Sequence, residues 1–160
     1  MPRPDEDSST PPRWKRILLK LSGEIGQVNR LAGKDVRVFD RFFAGGLGTV
    51  RGFESRSLGP RDSRNFEAIG GQSLILLSTE LVQPVVEGKL YTVVFADAGN
   101  VWAGAWDWQV DDLNVGVGVG LRVVLPVGTI VLDYGWPVRR TEDWLDTSGR
   151  VHFNIGYNLF

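Results

Sequence analysis

The sequence predicts an all-β fold: an antiparallel transmembrane β-barrel segment of about six meandering strands, with one long loop folded into the lumen. Three observations lead there. Apolar and polar residues alternate with a period of two through about six separate runs, most of roughly ten residues or more. Short turns and long irregular segments alternate between those runs. A glycine-dense stretch from Phe42 to Phe53 carries a single arginine between phenylalanines and lies in the longest connection.

In the first run Ile17, Leu19, Leu21 and Ile25 oppose Lys20, Ser22, Glu24 and Gly26. A strand over Gln72–Val82 sets Ile75, Leu77, Thr79 and Leu81 against Gln72, Ser78 and Glu80, although Leu74, Leu76 and Val82 interrupt its polar face. A third run, Lys89–Trp102, sets Leu90, Val94, Ala96 and Ala98 against Lys89, Phe95, Asp97 and Gly99. In the fourth, Leu113–Leu125, leucines and valines occupy every odd position, against Asn114, Gly116, Gly118, Gly120 and Arg122, and only Val124 breaks the repeat. In the fifth, Thr129–Val138, Ile130, Leu132, Tyr134, Trp136 and Val138 share one face. In the last, Val151, Phe153, Ile155, Tyr157 and Leu159 alternate with His152, Asn154, Gly156 and Asn158. Strand side chains point to alternate faces, so each run carries one aliphatic stripe. A helix would scatter the same residues around its circumference. Ordinary globular strands average ~5–6 residues, whereas a tilted bilayer crossing takes roughly 9–11.

The connections fit the same reading. Gln83-Pro84 and Pro126-Val127-Gly128 are expected in short turns, and Asn29–Gly71, Ala103–Asp112 and Arg139–Arg150 in long loops. Short turns at one end and long loops at the other characterise outer-membrane barrels. Trp102, Trp106, Trp108, Trp136 and Trp144 cluster near strand ends, as expected of an interfacial aromatic belt.

Composition narrows the function. The 160 residues fit one domain, and a net charge of -1 lacks the basic excess of a nucleic-acid binder. Without cysteine there is neither a disulfide framework nor a thiolate metal site. Residues 1–13 have the proline-rich polar composition of a linker and lack the apolar centre of a secretory signal. The true start is therefore expected upstream, or the chain is part of a longer gene product.

The glycine-dense stretch matches no common enzyme motif. A phosphate-binding loop ends in Gly-Lys-Ser/Thr, and Gly45 to Gly52 holds no lysine. Counted from Gly46 and Gly48, the third glycine of a dinucleotide fingerprint falls on Arg51. Gly116, Gly118 and Gly120 share a strand face and leave lumen space for a neighbouring element. Val50-Arg51-Gly52-Phe53 then has two readings: a turn with a solvated arginine, or a guanidinium held inside the barrel. The second needs inward carboxylates, and parity places Glu80 and Asp97 on the polar faces of their strands. Asp97 is favoured as an ion-pair partner of Arg51 over a general base.

The remaining chemistry is sparse. With one histidine and no cysteine, a catalytic zinc site is not expected, and neither is a cofactor. A Ser-His-Asp triad could only use His152, and no nucleophile motif points to it, so His152 reads as a wall residue. Asp111-Asp112 and Glu142-Asp143 read as solvated loop acids. No reaction follows from these residues, and the chain is not expected to be an enzyme.

Several segments together carry a resemblance: Arg41-Phe42-Phe43-Ala44-Gly45-Gly46, Thr49-Val50-Arg51-Gly52-Phe53, Leu58-Gly59-Pro60, Ser78-Thr79-Glu80-Leu81, Phe95 to Trp102, Gly128 to Tyr134, and Phe153-Asn154-Ile155-Gly156. From Trp14 to Phe160 the chain resembles the C-terminal part of the outer-membrane barrel assembly-factor superfamily, the bacterial surface antigen family of the BamA and TamA type. That resemblance implies a barrel of about sixteen strands, usually preceded by periplasmic POTRA domains, that inserts or translocates proteins at the bacterial outer membrane. It implies that Val50, Arg51, Gly52 and Phe53 lie on the sixth extracellular loop, inside the lumen. It further implies that Glu80 and Asp97 hold Arg51 from the wall, with Phe95 as the aromatic beside the second acid. The implied partners are outer-membrane lipid, unfolded outer-membrane protein substrates and periplasmic accessory proteins. The implied mechanism opens the seam between first and last strands and templates incoming strands by edge pairing, with Val151–Leu159 on one side.

Two features depart from the family. About six strands cannot close a barrel, and open edges are not tolerated in hydrocarbon. Residues 14–160 are therefore expected to work only as the C-terminal portion of a longer barrel protein. Leu159, not Phe160, continues the lipid-facing row, so the terminal aromatic stands one place off the usual assembly signal. Two competing readings are a soluble β-barrel or sandwich that binds a small ligand, whose aliphatic stripes would face a core, and a barrel translocator fused to an enzyme.

Overall fold

The computed structural model describes residues 17–30 and 35–156. The expected linker over 1–13 and the register of Leu159 and Phe160 lie outside the described residues. Six strands form one sheet: β1 (Leu18–Gln27), β2 (Ser73–Val86), β3 (Leu90–Trp102), β4 (Asn114–Leu125), β5 (Gly128–Arg139) and β6 (Arg150–Gly156). Each pairs antiparallel with the next in chain order, which makes a simple meander. Two single turns of 3-10 helix, Val38–Asp40 and Val110–Asp112, are the only helical segments among the described residues.

The alternation fixes which face looks where. Val119, Leu121, Leu132, Trp136, Val138, Val151, Phe153 and Ile155 are all exposed, on the face turned away from the loop. A soluble barrel would have to bury these rows around a core. Half-exposed aliphatic stripes on strands of 10 to 14 residues in β1 to β5 instead suit a lipid-facing wall.

The core lies between the inner face of the sheet and the long loop joining β1 to β2. Ala44, Val50, Phe53 and Leu58 of the loop pack with Leu74 and Leu76 of β2, Val101 of β3 and Leu145 of the β5–β6 connection. A second cluster, Val82, Val93 and Phe95, fills the inner face toward the short-turn end. These contacts explain why Leu74, Leu76 and Val82 interrupt a polar face. The apolar loop and the second cluster cover those positions and bury them.

Two expectations need correction. Gln83 and Pro84 lie inside β2, not in a turn; the turn follows at Glu87–Lys89. Pro84 is tolerated because the ladder slips between Pro84 and Val86, where a strand lacking one N–H donor loses least. The tryptophans also do not form a uniform belt. Trp136 and Trp106 are exposed, but Trp102 is buried where the following loop returns, with Ser73 Oγ donating to the Gly104 carbonyl at 2.7 Å. Trp144 packs inside the loop cluster, with the Arg61 guanidinium 4.1 Å from its ring centre.

Candidate functional site

The loop is shaped before it meets the wall. Antiparallel bridges join Phe42 to Gly71 and Ala44 to Leu58, which folds it into a narrow hairpin. At its tip Gly45 N–H donates to Thr49 Oγ1 at 2.9 Å, and Gly46 N–H donates to the Val50 carbonyl at 3.0 Å. This compact tip leaves Val50 to Phe53 lying across the inner wall.

The wall receives them in a trough of glycines. Val50 Cγ2 would stand 3.0 Å from a Cβ at Gly99 on β3. The Arg51 carbonyl occupies the space of a side chain at Gly116 on β4, and Gly52 N would lie 2.6 Å from a Cβ at Gly135 on β5. Three successive strands thus each omit a side chain under three successive loop residues. Gly52 has φ +93, a conformation open to glycine, and a Cβ there would meet the Trp136 backbone at 2.9 Å. The next glycines on β4 make room within the wall itself. Gly118 admits the Phe95 ring, and Gly120 admits Asp133 and Arg122.

Arg51 points into this wall and is 6% exposed, so the solvated-turn reading does not describe it. Its Nε donates to Asp97 Oδ2 at 2.6 Å and its Nη2 to Asp97 Oδ1 at 2.8 Å, a bidentate fork. Nη1 donates to Glu80 Oε1 at 2.6 Å and to Asp133 Oδ2 at 3.1 Å. Nη2 also reaches Ser78 Oγ at 3.4 Å. All five guanidinium N–H groups therefore have acceptors. Asp97 is equally saturated. Beyond the fork it accepts from Arg51 N at 3.1 Å and from Ser78 Oγ at 2.6 Å, two donors on each oxygen. The Phe95 ring centre lies 3.6 Å from Arg51 Cζ, on the same strand face as Asp97, and adds a cation–π contact.

A second guanidinium shares the acids. Arg122 Nη1 bonds Asp133 Oδ1, its Nη2 donates to Asp133 Oδ2 at 3.0 Å, and the same nitrogen lies 3.6 Å from Glu80 Oε1. Lys20 Nζ approaches Glu80 Oε2 at 3.9 Å from the more open side. The cluster balances three cations, Arg51, Arg122 and Lys20, against three carboxylates, Glu80, Asp97 and Asp133. Burial alone would weaken the Arg51 guanidinium's hold on its proton. The bond and charge of Asp97, then those of Glu80, outweigh burial and raise its proton affinity above the ordinary value. Arg51 stays charged, as its donors require.

The residues proposed from the sequence thus converge: Val50, Arg51, Gly52 and Phe53 in the trough, with Glu80, Phe95 and Asp97 on the wall beside Arg51. Asp133, Arg122 and Ser78 were missed. The signal for the first two was present, since both occupy the inward parity of adjacent strands. Their diagonal offset required the register, in which Gly120 pairs with Asp133 and Arg122 with Val131. His152 read as a wall residue, and it does face inward from β6. Gly52 N–H donates to its Nε2 at 3.0 Å. No periodicity links positions 100 residues apart.

The Omp85 superfamily domain profile matches residues 13–159. Among curated relatives, the chain is 33% identical over 124 residues to an outer membrane protein assembly factor BamA from Nitratidesulfovibrio vulgaris, covering 76% of this chain and 16% of that protein. It is 32% identical over 167 residues to the BamA of Neisseria meningitidis serogroup B, covering 92% of this chain and 20% of that protein. A SAM50-like protein of Schizosaccharomyces pombe is 27% identical over 156 residues, covering 91% of this chain and 32% of the relative. The chain therefore spans a third or less of the length of these relatives. In architecture it is similar to a crystal structure of BamA from Haemophilus ducreyi lacking POTRA domains 1-3, with a TM-score of 0.68 at 22% identity, covering 86% of this chain and 32% of that one.

Proposed function

Because the chain belongs to the Omp85 superfamily, we propose that it is the C-terminal barrel portion of a protein that assembles, inserts or translocates other proteins at the bacterial outer membrane. The observation that carries the proposal is a wall with lipid-compatible outer rows whose inner face grips a folded-in loop. The relatives named as assembly factors support the same reading. The work is edge pairing and involves no bond chemistry. Backbone N–H and C=O groups of β6 template an incoming strand, and the lumen loop keeps the wall in shape while the edge is open. Val50, Arg51, Gly52 and Phe53 are the loop's functional residues in this proposal, with Glu80, Phe95 and Asp97 as their wall partners. Outer-membrane lipid and unfolded outer-membrane proteins are the partners, and periplasmic accessory proteins are further ones.

The test is cysteine crosslinking in the full-length protein. Single cysteines along Arg150–Gly156 are paired with single cysteines in the terminal strand of an incoming outer-membrane protein. Crosslinks that follow one antiparallel register are expected. Efficient substrate assembly without any β6 crosslink would overturn the proposal.

A further inference from the structure

β6 is the shortest strand of the sheet among the described residues. Among the described residues it has seven positions and pairs only with β5. Its outward residues Val151, Phe153 and Ile155 are exposed. What ties it inward is two side chains reaching the loop. His152 Nε2 accepts from Gly52 N–H at 3.0 Å, and Arg150 Nη2 lies 3.5 Å from Glu54 Oε2. The second contact is weak, because Glu54 is exposed and Arg150 is shared with Asp146 at 3.0 Å. The first is of a different kind. Gly52 immediately follows the anchored Arg51, so its N–H is held in place by the whole ionic cluster.

We propose that His152 is a positioning residue that fastens the terminal strand to the arginine-anchored loop, and that the fastening holds only while its Nε2 carries no proton. A backbone N–H needs a lone pair to donate to. Neutral imidazole offers one at Nε2 when Nδ1 bears the hydrogen, and imidazolium offers none. The charged groups around the ring are Asp133, its register partner on β5, Arg51 in the loop, Asp97 on β3 and Arg150 on its own strand. Two acids and two guanidiniums oppose one another, so the change that matters on protonation is the loss of the acceptor. The fastening is therefore present above the ring's titration and lost below it. It concerns how the wall is held, and stands or falls separately from what the protein assembles.

The experiment is amide hydrogen exchange of the full-length protein in phosphatidylcholine vesicles at about pH 8 and about pH 5, corrected for the intrinsic pH dependence of exchange. It follows peptides covering 50–54 and 150–156 in the native protein, His152→Gln and His152→Leu. Glutamine keeps an acceptor that does not titrate; leucine has none. Protection in the native protein is expected to fall about five- to tenfold on acidification. The glutamine variant should hold its protection at both values, and the leucine variant should be unprotected at both. If the leucine variant does not fold, native protein and glutamine variant decide between them. Native protection unchanged by pH, or a glutamine variant that loses protection like the native protein, would overturn the proposal.

Discussion

The loop is held to the wall in two zones of unlike physics. Toward the long-loop end, Val50, Phe53 and Leu58 rest on Leu74, Leu76 and Val101, an apolar seat with no preferred direction. Deeper in the lumen Arg51 meets Asp97, Glu80 and Asp133 with every donor assigned. An apolar seat contributes stabilisation roughly in proportion to the area it removes from water, and its position is limited only by shape, as where Val50 lies over Gly99. The ionic cluster would not accept a loop shifted by a residue, because a shift leaves buried charges unpaired. Most of the attraction thus comes from the apolar residues, while the ionic cluster, together with the glycine trough, sets the register.

Removing Asp133 is the largest test of that division, since both Arg51 and Arg122 lean on it. Asp133→Ala should destabilise the barrel by about 3–5 kcal/mol, read as a lowered denaturation midpoint and loss of heat-modified gel mobility. A loss under ~1 kcal/mol would mean the cluster is solvated and the division false. Leu74→Ala comes next, at about 2–3 kcal/mol. Here stability should fall while a disulfide probe between the loop and β5 still reports the native register. A shifted register would show that the seat, and not the cluster, sets alignment. Lys20→Ala should be the smallest, below about 1 kcal/mol and weaker still at high salt, because the ammonium is partly exposed and 3.9 Å from Glu80. A large effect would extend the tightly coupled cluster to β1.

Most of the wall was legible because a spanning strand writes its two environments into alternate residues. Leu113–Leu125 needed nothing more than that period, and the observed β4 begins one residue later. Pro84 misled because proline marks a turn in most contexts, whereas here it sits at a register slip inside a strand. Trp102 misled because parity says which way a side chain points and not whether a later loop covers it. Glu80 and Asp97 could be nominated because a carboxylate on an inward row needs a cation, and one arginine stood in the glycine-dense loop. Arg122 and Asp133 could not be joined to them, since nothing along the chain states which residues of adjacent strands lie diagonal to each other.

The linear code settled everything that depends on a residue's own environment: strand periods, lipid-facing rows, the strand glycines whose missing side chains make space, and the charges that need partners. Which glycine lies beneath which loop residue, which acid serves two arginines, and which ring receives the Gly52 amide came only with the folded chain. These are pairings between distant segments. Their energies depend on distance and angle, quantities that exist once the strands are in register and the loop lies in its trough.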